Sequence, residues 1–300
     1  MREAKIVEVC PRDGFQSVER HIPAEEKIKI IGMLADSGIK KIQATSFVSP
    51  KAIAQMRDAS LVMSEAIKQR PHTRFFALVP NLRGAESAVA AGAKEITTVI
   101  SLSKSHNMAN IRRTHEQSLE ELKRIRESFP EITVGVDIAT VFGCPFEGPQ
   151  TVAELLRMIE AVSALGVREI TLCDTIGVAY PKQVANVMRE ALVHFPGSSF
   201  GIHIHDTRNM GMINSLTALE NGAESVQVCA AGLGGCPFAP GASGNTATED
   251  FVYMLEKEGW ETGINFEKLL EAARYIVQNI EGVFSGHQVN ITTPQAGSCC

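Results

Sequence analysis

The sequence GIHIHDT, residues 201–207, predicts a β-strand that carries two histidines one residue apart. Side chains in a strand alternate between its two faces, so we expect His203 and His205 on one face and the isoleucines on the other. Two imidazoles on one face near a strand end can begin a divalent-metal site. An isolated pair could equally be two hydrogen-bonded polar residues of a strand. The rest of the sequence has to decide between these interpretations.

A helical pattern follows this strand and is closed by Gly222, and the same strand-then-helix unit recurs along the chain. The strands are predicted at 5–9, 41–45, 75–79, 95–100, 133–141, 169–173, 200–205 and 225–229. The helices that follow them are predicted at 24–37, 51–68, 84–91, 116–128, 152–165, 182–194, 212–220 and 249–258. Strands that alternate with helices pair in parallel through crossovers. Eight such units in 300 residues predict an α/β fold, the closed (β/α)8 TIM barrel.

An open, doubly wound sheet is the alternative fold, but no G-x-G-x-x-G turn follows the first strand. The barrel is predicted to span residues 1–262 as one catalytic domain. Residues 263–300 are predicted to form a C-terminal extension, with a helix at 267–279 and an irregular tail. We expect this extension to pack on the barrel or on a second subunit.

Composition excludes several classes of protein. Hydrophobic residues make up 44% of the chain and charged residues 21%, which is ordinary for a globular protein. The net charge is −5 without a basic block, so we expect no nucleic-acid partner. Apolar runs are only strand-sized and no signal-peptide pattern is seen at the first residues, so we expect no membrane span. Seven scattered cysteines without a C-x-x-C pair favour a reducing compartment, and we expect a cytoplasmic protein.

Unusual polar residues fall repeatedly at the C-terminal ends of the predicted strands, where the active sites of such barrels lie. They are Arg12 and Asp13 after the first strand, Gln43 to Ser46 at the second, Asp174 and Thr175 at the sixth, His203 and His205 at the seventh, and Cys236 and Asn245 after the eighth. A random scatter would place about half of such residues elsewhere. This clustering predicts an active site at one end of the barrel.

A metal site is predicted among these residues. Asp13, His203 and His205 supply one carboxylate and two imidazoles, and an amide such as Asn245 would add another oxygen. Ligation by nitrogen and oxygen without thiolate suits Mg²⁺ or Mn²⁺ better than structural zinc. Asp13 alone could instead cap a turn.

Two further polar residues have alternative roles. Arg12 is always charged, and its fork could hold a carboxylate or stabilise an enolate oxygen, or it could form a surface ion pair with Glu8 or Glu19. Asp174 could act as a base, hold a ligand in place or serve only as a structural hydrogen-bond acceptor.

A glycine-rich loop at 232–245 carries Cys236 in its middle. Five glycines give a mobile backbone that can close over a ligand. An exposed cysteine there is either reactive or incidental. The remaining cysteines before the tail are predicted to be small core residues: Cys10, Cys144, Cys173 and Cys229. Cys299 and Cys300 fall in the predicted tail.

With these residues in hand, the chain resembles the hydroxymethylglutaryl-CoA lyases of the DRE-TIM metallolyase superfamily. The resemblance extends from the first strand to about residue 273, and its motifs are VCPRDGFQ at 9–16, ATSFVSPK at 44–51, CDTIGV at 173–178, HIHDT at 203–207 and GLGGCPFAPGASGNTATED at 232–250. It implies that the metal ligands are Asp13, His203, His205 and Asn245. It also implies a catalytic group of Arg12, Asp13, Asp174, His203 and Cys236, and substrate contacts from Arg12, Gln16, Gln43 and Ser46.

The chemistry that this resemblance implies is a retro-Claisen cleavage of a 3-hydroxy-3-methylacyl-CoA, with Mg²⁺ or Mn²⁺ as cofactor. The ion would lower the pKa of the tertiary hydroxyl, and His203 or Asp174 would take its proton. Arg12 would stabilise the acyl-CoA enolate, and Cys236 could protonate its carbon. The expected partners are an acyl-CoA and further copies of the chain in a homo-oligomer, a dimer or higher. Candidates for the phosphates of coenzyme A are Lys51, Lys104, Arg112 and Arg113, although each is more typical of a solvated surface charge.

One departure from the family pattern stands out. Lyases of the family typically carry glutamate where this chain has Gln43, and glutamine cannot ionise. Smaller departures are Cys10, in place of glycine, and Arg208 with Asn209 after HDT. They leave three hypotheses: a lyase for hydroxymethylglutaryl-CoA; a lyase for another hydroxyacyl-CoA or a condensing acyltransferase; and a binding protein without turnover.

Overall fold

A computed structural model describes residues 2–235 and 244–291. The strands are β1 (Arg2–Glu3), β2 (Lys5–Glu8), β3 (Lys41–Ser46), β4 (Arg74–Leu78), β5 (Glu95–Ser101), β6 (Thr133–Ala139), β7 (Glu169–Asp174), β8 (Ser199–Ile204), β9 (Ser225–Val228) and β10 (Trp260–Glu261). The helices are α1 (Ala24–Asp36), α2 (Ala59–Gln69), α3 (Leu82–Ala90), α4 (Lys104–Ile111), α5 (His115–Ser128), α6 (Val152–Ala164), α7 (Pro181–His194), α8 (Gly211–Glu220), α9 (Thr248–Lys257) and α10 (Phe266–Asn279). Short helical turns lie at Cys10–Gly14, Ala54–Met56, Ala230–Gly232 and Gln288–Asn290.

Strands β2 to β9 form a closed barrel in which each strand pairs in parallel with the next and β2 pairs with β9. The predicted (β/α)8 barrel is therefore confirmed. β1 and β10 form a separate two-stranded parallel sheet beside it. The division into a barrel of residues 1–262 and an extension of residues 263–300 stays a prediction.

Apolar side chains of the strands pack outward against the helices, and polar ones fill part of the barrel interior. On β8, Phe200, Ile202 and Ile204 are fully buried in the core. The alternate residue His203 pairs in register with Gln227 of β9, whose amide contacts Thr171 inside the barrel. The period of two in the sequence thus separates the core face of each strand from its functional face.

Local signals fix where the helices begin and end. Capping boxes start α5 and α6. The hydroxyl of the first residue, Thr114 or Thr151, accepts a hydrogen bond from the backbone amide three residues on. The side chain of that later residue accepts a hydrogen bond from the threonine amide. Gly38 ends α1 with a positive φ of 104°, and a Cβ atom there would lie 2.7 Å from the carbonyl oxygen of Gly263. The segment after β10 can therefore pack closely on the first helix.

Four charged side chains close the N-terminal end of the barrel. The Nζ atom of Lys41 lies 2.8 Å from a carboxylate oxygen of Glu169 and also pairs with Glu95. Arg74 lies 2.7 Å from Glu95 and 3.5 Å from Glu169. We call this set (Lys41, Arg74, Glu95 and Glu169) the barrel floor, since it lies opposite the strand ends that carry the candidate site.

One predicted helix differs from the structure, and one observed α-helix was not predicted. The helix predicted at 51–68 is a short 3₁₀ turn, Ala54–Met56, followed by α2. Helix α4 was not predicted. The predicted helix at 267–279 is confirmed as α10, which packs against α1 and α9. Among the described residues, no helix has the length and apolar character needed to cross a bilayer.

Candidate functional site

The site begins where β2 ends in a π-helical turn, Cys10–Gly14. Pro11 lacks a backbone N–H and stops the strand, and the amide of Asp13 donates to the carbonyl of Val9 at 2.7 Å. The turn holds the side chains of Arg12 and Asp13 at the C-terminal end of the barrel, where both are buried. Arg12 donates to Oδ1 of Asp13 at 2.5 Å. The alternative surface ion pair with Glu8 or Glu19 is therefore wrong.

The Asp13 carboxylate is the centre of the cluster. Gln16 donates to its Oδ1 atom at 2.9 Å, and Nδ2 of Asn245 donates to its Oδ2 atom at 2.9 Å. The Nε2 atoms of His203 and His205 lie 4.0 Å and 3.9 Å from Oδ2. Burial would raise the pKa of Asp13, but Arg12 and the two histidines oppose it and hold that pKa well below its usual range. Asp13 is therefore a permanent anion.

The two histidines share one face, as the alternation in β8 predicts. Their ring centroids lie 5.1 Å apart, and an isolated bridge from His205 to Asn245 brings the far side of the glycine-rich loop to the same place. Burial lowers the pKa of His203 to about 3. Its imidazole is therefore neutral at pH 7, the form in which histidine binds metals.

The donor atoms of this cluster fit a divalent cation. Ligands bound to one ion at about 2.1 Å lie about 3 Å apart when adjacent and about 4.2 Å apart when opposite. The separations of both histidines from Asp13 fall within that range. Oδ1 of Asn245 is buried and has no hydrogen-bond partner within the described part of the chain. Buried polar atoms nearly always have a partner, so a bound ligand would complete the site.

A second group of potential ligand atoms does not fit a metal ion. Glu8, Cys10 and Cys229 place one ligand atom each within 4.8 Å of one another. Burial raises the pKa of both thiols, which disfavours the thiolate form. Both oxygens of Glu8 already accept hydrogen bonds, from Cys10 and Ala230 on one side and from Thr248 on the other. This cluster is a structural support for the turn that carries Arg12.

Gln43 completes the surroundings of Arg12 from the neighbouring strand β3. Its Oε1 atom accepts from Nε of Arg12 at 2.5 Å. Ser46 lies at the end of the same strand, and both side chains are buried. The four predicted substrate contacts, Arg12, Gln16, Gln43 and Ser46, therefore lie at one end of the barrel; three of them are linked to Asp13 directly or through Arg12.

Asp174 lies at the end of β7 and is buried. Its two oxygens accept from the backbone amides of Val178 and Ala179 at 3.0 Å and 2.8 Å. Its carbonyl oxygen accepts from the amide of His205 at 3.4 Å. The side chain thus shapes the loop after β7, and its backbone holds the segment that carries His205. A direct role in proton transfer stays a prediction.

Two buried glutamates anchor the start of the glycine-rich loop, and the sequence analysis did not identify this role. Glu8 accepts from the amide of Ala230 at 3.0 Å, and Glu249 accepts from the amide of Ala231 at 2.9 Å. Ala231 has a positive φ of 61°, which is unfavourable for alanine. Cys236 lies outside the described residues, as do Cys299 and Cys300. Its role stays a prediction.

Replacing Glu249 with glutamine is expected to make stability less dependent on pH. Burial raises the pKa of Glu249 to about 8, from 4.5 for an ordinary glutamate. Between these values the folded protein keeps a proton that the unfolded chain has lost, so rising pH destabilises the fold. The wild type should lose about 4 kcal/mol through this group between pH 5 and pH 9. Urea unfolding at several pH values measures the difference.

The exposed Glu258 at the end of α9 offers a matched control, since Glu258→Gln removes one charge without altering a buried group. Its pH dependence should follow the wild type. A Glu249→Gln protein whose stability falls with pH as steeply as the wild type would contradict the assignment.

The candidate cations for coenzyme A phosphates lie in the loops and helices after β3 and β5. Lys51, Lys104 and Arg113 are exposed or partly exposed, and Nη1 of Arg113 donates to the carbonyl of Pro80 at 2.5 Å. Arg112 ends α4 in a left-handed conformation, with φ of 55°. The described residues do not bring these cations into the Asp13 cluster.

The core cysteines are placed as predicted. Cys10, Cys144, Cys173 and Cys229 are all buried and carry free thiols. Their burial raises the pKa of Cys173 and Cys229 well above the ordinary value of a thiol.

The chain matches known proteins over nearly its whole length. A family model described as HMGL-like matches residues 3–276. Hydroxymethylglutaryl-CoA lyase YngG of Bacillus subtilis is 41% identical over 93% of this chain and 94% of its own length. The human mitochondrial hydroxymethylglutaryl-CoA lyase is 40% identical over 92% of this chain and 86% of its own.

Solved structures agree with this likeness. The HMG-CoA lyase of B. subtilis superposes with a TM-score of 0.92 at 40% identity, covering 96% of this chain and 97% of that one. An HMG-CoA lyase of Acinetobacter baumannii, solved in complex with coenzyme A and 3-methylmalate, superposes with a TM-score of 0.89 at 38% identity, covering 97% of both chains.

Proposed function

The chain belongs to the HMGL-like family, and on that premise we propose that it is a carbon–carbon lyase acting on a 3-hydroxy-3-methylacyl-CoA. The default substrate is 3-hydroxy-3-methylglutaryl-CoA, with acetyl-CoA and acetoacetate as products. The observation that carries the proposal is the Asp13 cluster: a carboxylate, two imidazoles and an amide converge beside a buried arginine at the mouth of the barrel.

We assign Asp13, His203, His205 and Asn245 as the residues that hold a divalent ion, Mg²⁺ or Mn²⁺. When bound, such an ion polarises the tertiary hydroxyl of the substrate and lowers its pKa. Asp13 supplies the negative charge. Gln16 and Arg12 hold its Oδ1 atom and thereby orient Oδ2 toward the histidines.

We propose that His203 or Asp174 accepts the hydroxyl proton. The imidazole of His203 lies beside Oδ2 of Asp13. Each carboxylate oxygen of Asp174 accepts one backbone amide and keeps a second lone pair. The carbon–carbon bond then breaks, its electron pair passes to the acyl-CoA enolate, and the hydroxyl carbon becomes the ketone of the keto acid.

Arg12 is proposed to stabilise the enolate oxygen. Its hydrogen bonds to Asp13 and Gln43 use Nη1 and Nε, which leaves the Nη2 group for a ligand. A buried, fixed guanidinium needs no reorganisation when charge develops on the oxygen. Cys236 on the glycine-rich loop is proposed to protonate the enolate carbon, which yields acetyl-CoA.

Gln43 favours a second candidate within the same chemistry. Its neutral side chain contacts the arginine proposed to bind the enolate, so the acyl part of the natural substrate can differ from the default. The alternatives are a lyase for another 3-hydroxyacyl-CoA and a condensing acyltransferase. We also propose a homo-oligomer, a dimer or higher, and a cytoplasmic location based on cysteine usage.

Turnover tests the proposal directly. Purified protein with Mn²⁺ or Mg²⁺ should convert 3-hydroxy-3-methylglutaryl-CoA to acetoacetate and acetyl-CoA, and Cys236→Ser should keep bound metal but lose most of this activity. Cys300→Ser is the matched control and should be unaffected. A wild-type protein that binds metal but cleaves no 3-hydroxyacyl-CoA refutes the lyase assignment. Full activity of Cys236→Ser makes that cysteine incidental.

A further inference from the structure

Gln43 carries a buried hydrogen-bond donor for which the described residues offer no acceptor. We propose that this amide N–H binds an oxygen of the free carboxylate of the substrate, which makes Gln43 a specificity-determining residue. The inference rests on the proposed function, because it concerns the acyl part of the substrate bound beside Arg12. It goes beyond that function because it assigns recognition of the free carboxylate to one donor that a glutamate at this position would not provide.

The orientation of the Gln43 amide follows from hydrogen-bond chemistry. The Nε group of Arg12 can only donate, and it lies 2.5 Å from the Gln43 side chain. The amide oxygen must therefore face Arg12, and the NH2 group must face away from it. Glutamate at this position could keep the bond to Arg12, but it would present a second acceptor where glutamine presents donors.

No described residue accepts from this NH2 group. Gln43 is fully buried, and its Nε2 atom has no partner within residues 2–235 and 244–291. A buried amide N–H without an acceptor destabilises a protein, because it has lost its hydrogen bonds to water and gained none in return. A ligand with an acceptor oxygen removes that penalty on binding, which selects for such a ligand.

A β-bulge in the same strand supplies a second donor. The register between β3 and β4 shifts between Gln43 and Thr45, which interrupts the alternation of side chains. The Thr45 hydroxyl contacts Met56 in the loop toward α2, and the Ser46 hydroxyl is buried without a hydrogen-bond partner among the described residues. β3 therefore ends with two donors, from Gln43 and Ser46, that bind no acceptor in the described part of the chain.

A glutamine at position 43 leaves the surroundings of Arg12 more favourable to an anionic ligand than a glutamate would. Asp13 is the one carboxylate that, within the described residues, contacts Arg12 by a hydrogen bond. Gln43 adds no negative charge. An anionic oxygen of the ligand can therefore approach Arg12 and Gln43 without repulsion from a second carboxylate at this position.

Binding measurements without turnover test this role. The probes are the monomethyl ester of 3-hydroxy-3-methylglutarate, which keeps one free carboxylate, and the dimethyl ester, which has none. Calorimetry on the Mn²⁺-loaded protein should show that Gln43→Glu and Gln43→Met each weaken binding of the monoester by about 10- to 100-fold. Binding of the diester should change by less than about threefold. Unchanged Mn²⁺ stoichiometry verifies that both variants are folded.

The two probes separate recognition from a merely structural role. A residue that only positions Arg12 would affect both esters alike, because both carry the acyl carbonyl proposed to face Arg12, and Gln43→Met removes the acceptor that holds this arginine without adding a charge. Equal weakening of both esters in Gln43→Met overturns the inference, as does a wild type that prefers the diester. If the predicted pattern of affinities is seen without cleavage of any acyl-CoA, the lyase assignment fails and the inference stands. If the protein cleaves an acyl-CoA but the Gln43 variants bind the probes as the wild type does, the lyase assignment stands and the inference fails.

Discussion

Replacing His205 with alanine is expected to abolish stoichiometric binding of Mn²⁺. His205 lies 3.9 Å from Oδ2 of Asp13 and is bridged to Asn245, so it contacts two other members of the proposed ligand set. Loss of an outer partner alone typically lowers metal affinity 10- to 100-fold, and loss of a direct ligand should lower it further. Metal content after gel filtration, measured by mass spectrometry, gives the stoichiometry. Turnover should fall with it.

His194 provides the control for this substitution. It lies at the exposed end of α7 and its Nδ1 atom is 2.9 Å from the carbonyl oxygen of Glu190. His194→Ala should bind one Mn²⁺ per chain like the wild type. A folded His205→Ala protein that retains one Mn²⁺ per chain would remove His205 from the ligand set, whatever its activity.

Replacing Arg12 with lysine is expected to lower kcat by about a thousandfold while metal binding persists. The guanidinium reaches Asp13 through Nη1 and Gln43 through Nε at the same time. A lysine ammonium is a single point charge and cannot reproduce this planar fork together with a third donor for the enolate. Initial rates with saturating substrate, combined with Mn²⁺ titration, separate catalysis from metal binding.

Arg20 is the matched control for Arg12. It is largely exposed and lies 3.3 Å from Glu281, so Arg20→Lys keeps its charge in a solvated setting. The control should retain wild-type kcat. If Arg12→Lys also retained kcat within about threefold, charge alone would be sufficient and the fork geometry would have no catalytic role.

The barrel could be predicted because its signals are local and repeated. Each strand is a short apolar run, and most of the following helices have an amphipathic pattern and a glycine or proline stop. Helix α4 has no such pattern. Its buried face carries His106 and Asn107, and Asn107 binds the backbone of Ser101 and of Arg113. Because the buried face of α4 carries polar side chains, the sequence of this helix shows no hydrophobic periodicity.

The candidate site was predicted to the extent that it follows from the ends of parallel strands. Arg12, Asp13, His203 and His205 needed only the alternation of strand residues and the common edge of the barrel. Asn245 comes from a distant loop, and its approach depends on the bridge to His205. The sequence suggested an amide oxygen there, but it held no information on the path of the loop.

Other features could not be predicted because they depend on backbone partners. Glu8 was considered only as an ion-pair partner for Arg12, yet it accepts two backbone amides and a hydroxyl in the core. The β-bulge in β3 lies just before Ser46. The residues around it are small and polar, so their pattern does not indicate a bulge. Asp174 likewise turned out to bind the amides of Val178 and Ala179.

The barrel floor constrains the order in which products leave. Lys41, Arg74, Glu95 and Glu169 close the end opposite the site, so both fragments of a cleaved substrate share one exit. We therefore expect the fragment that is bound deeper to leave last. The free enzyme is then the species that rebinds the deeper fragment, which makes that fragment a competitive inhibitor against substrate, whereas the fragment released first inhibits noncompetitively.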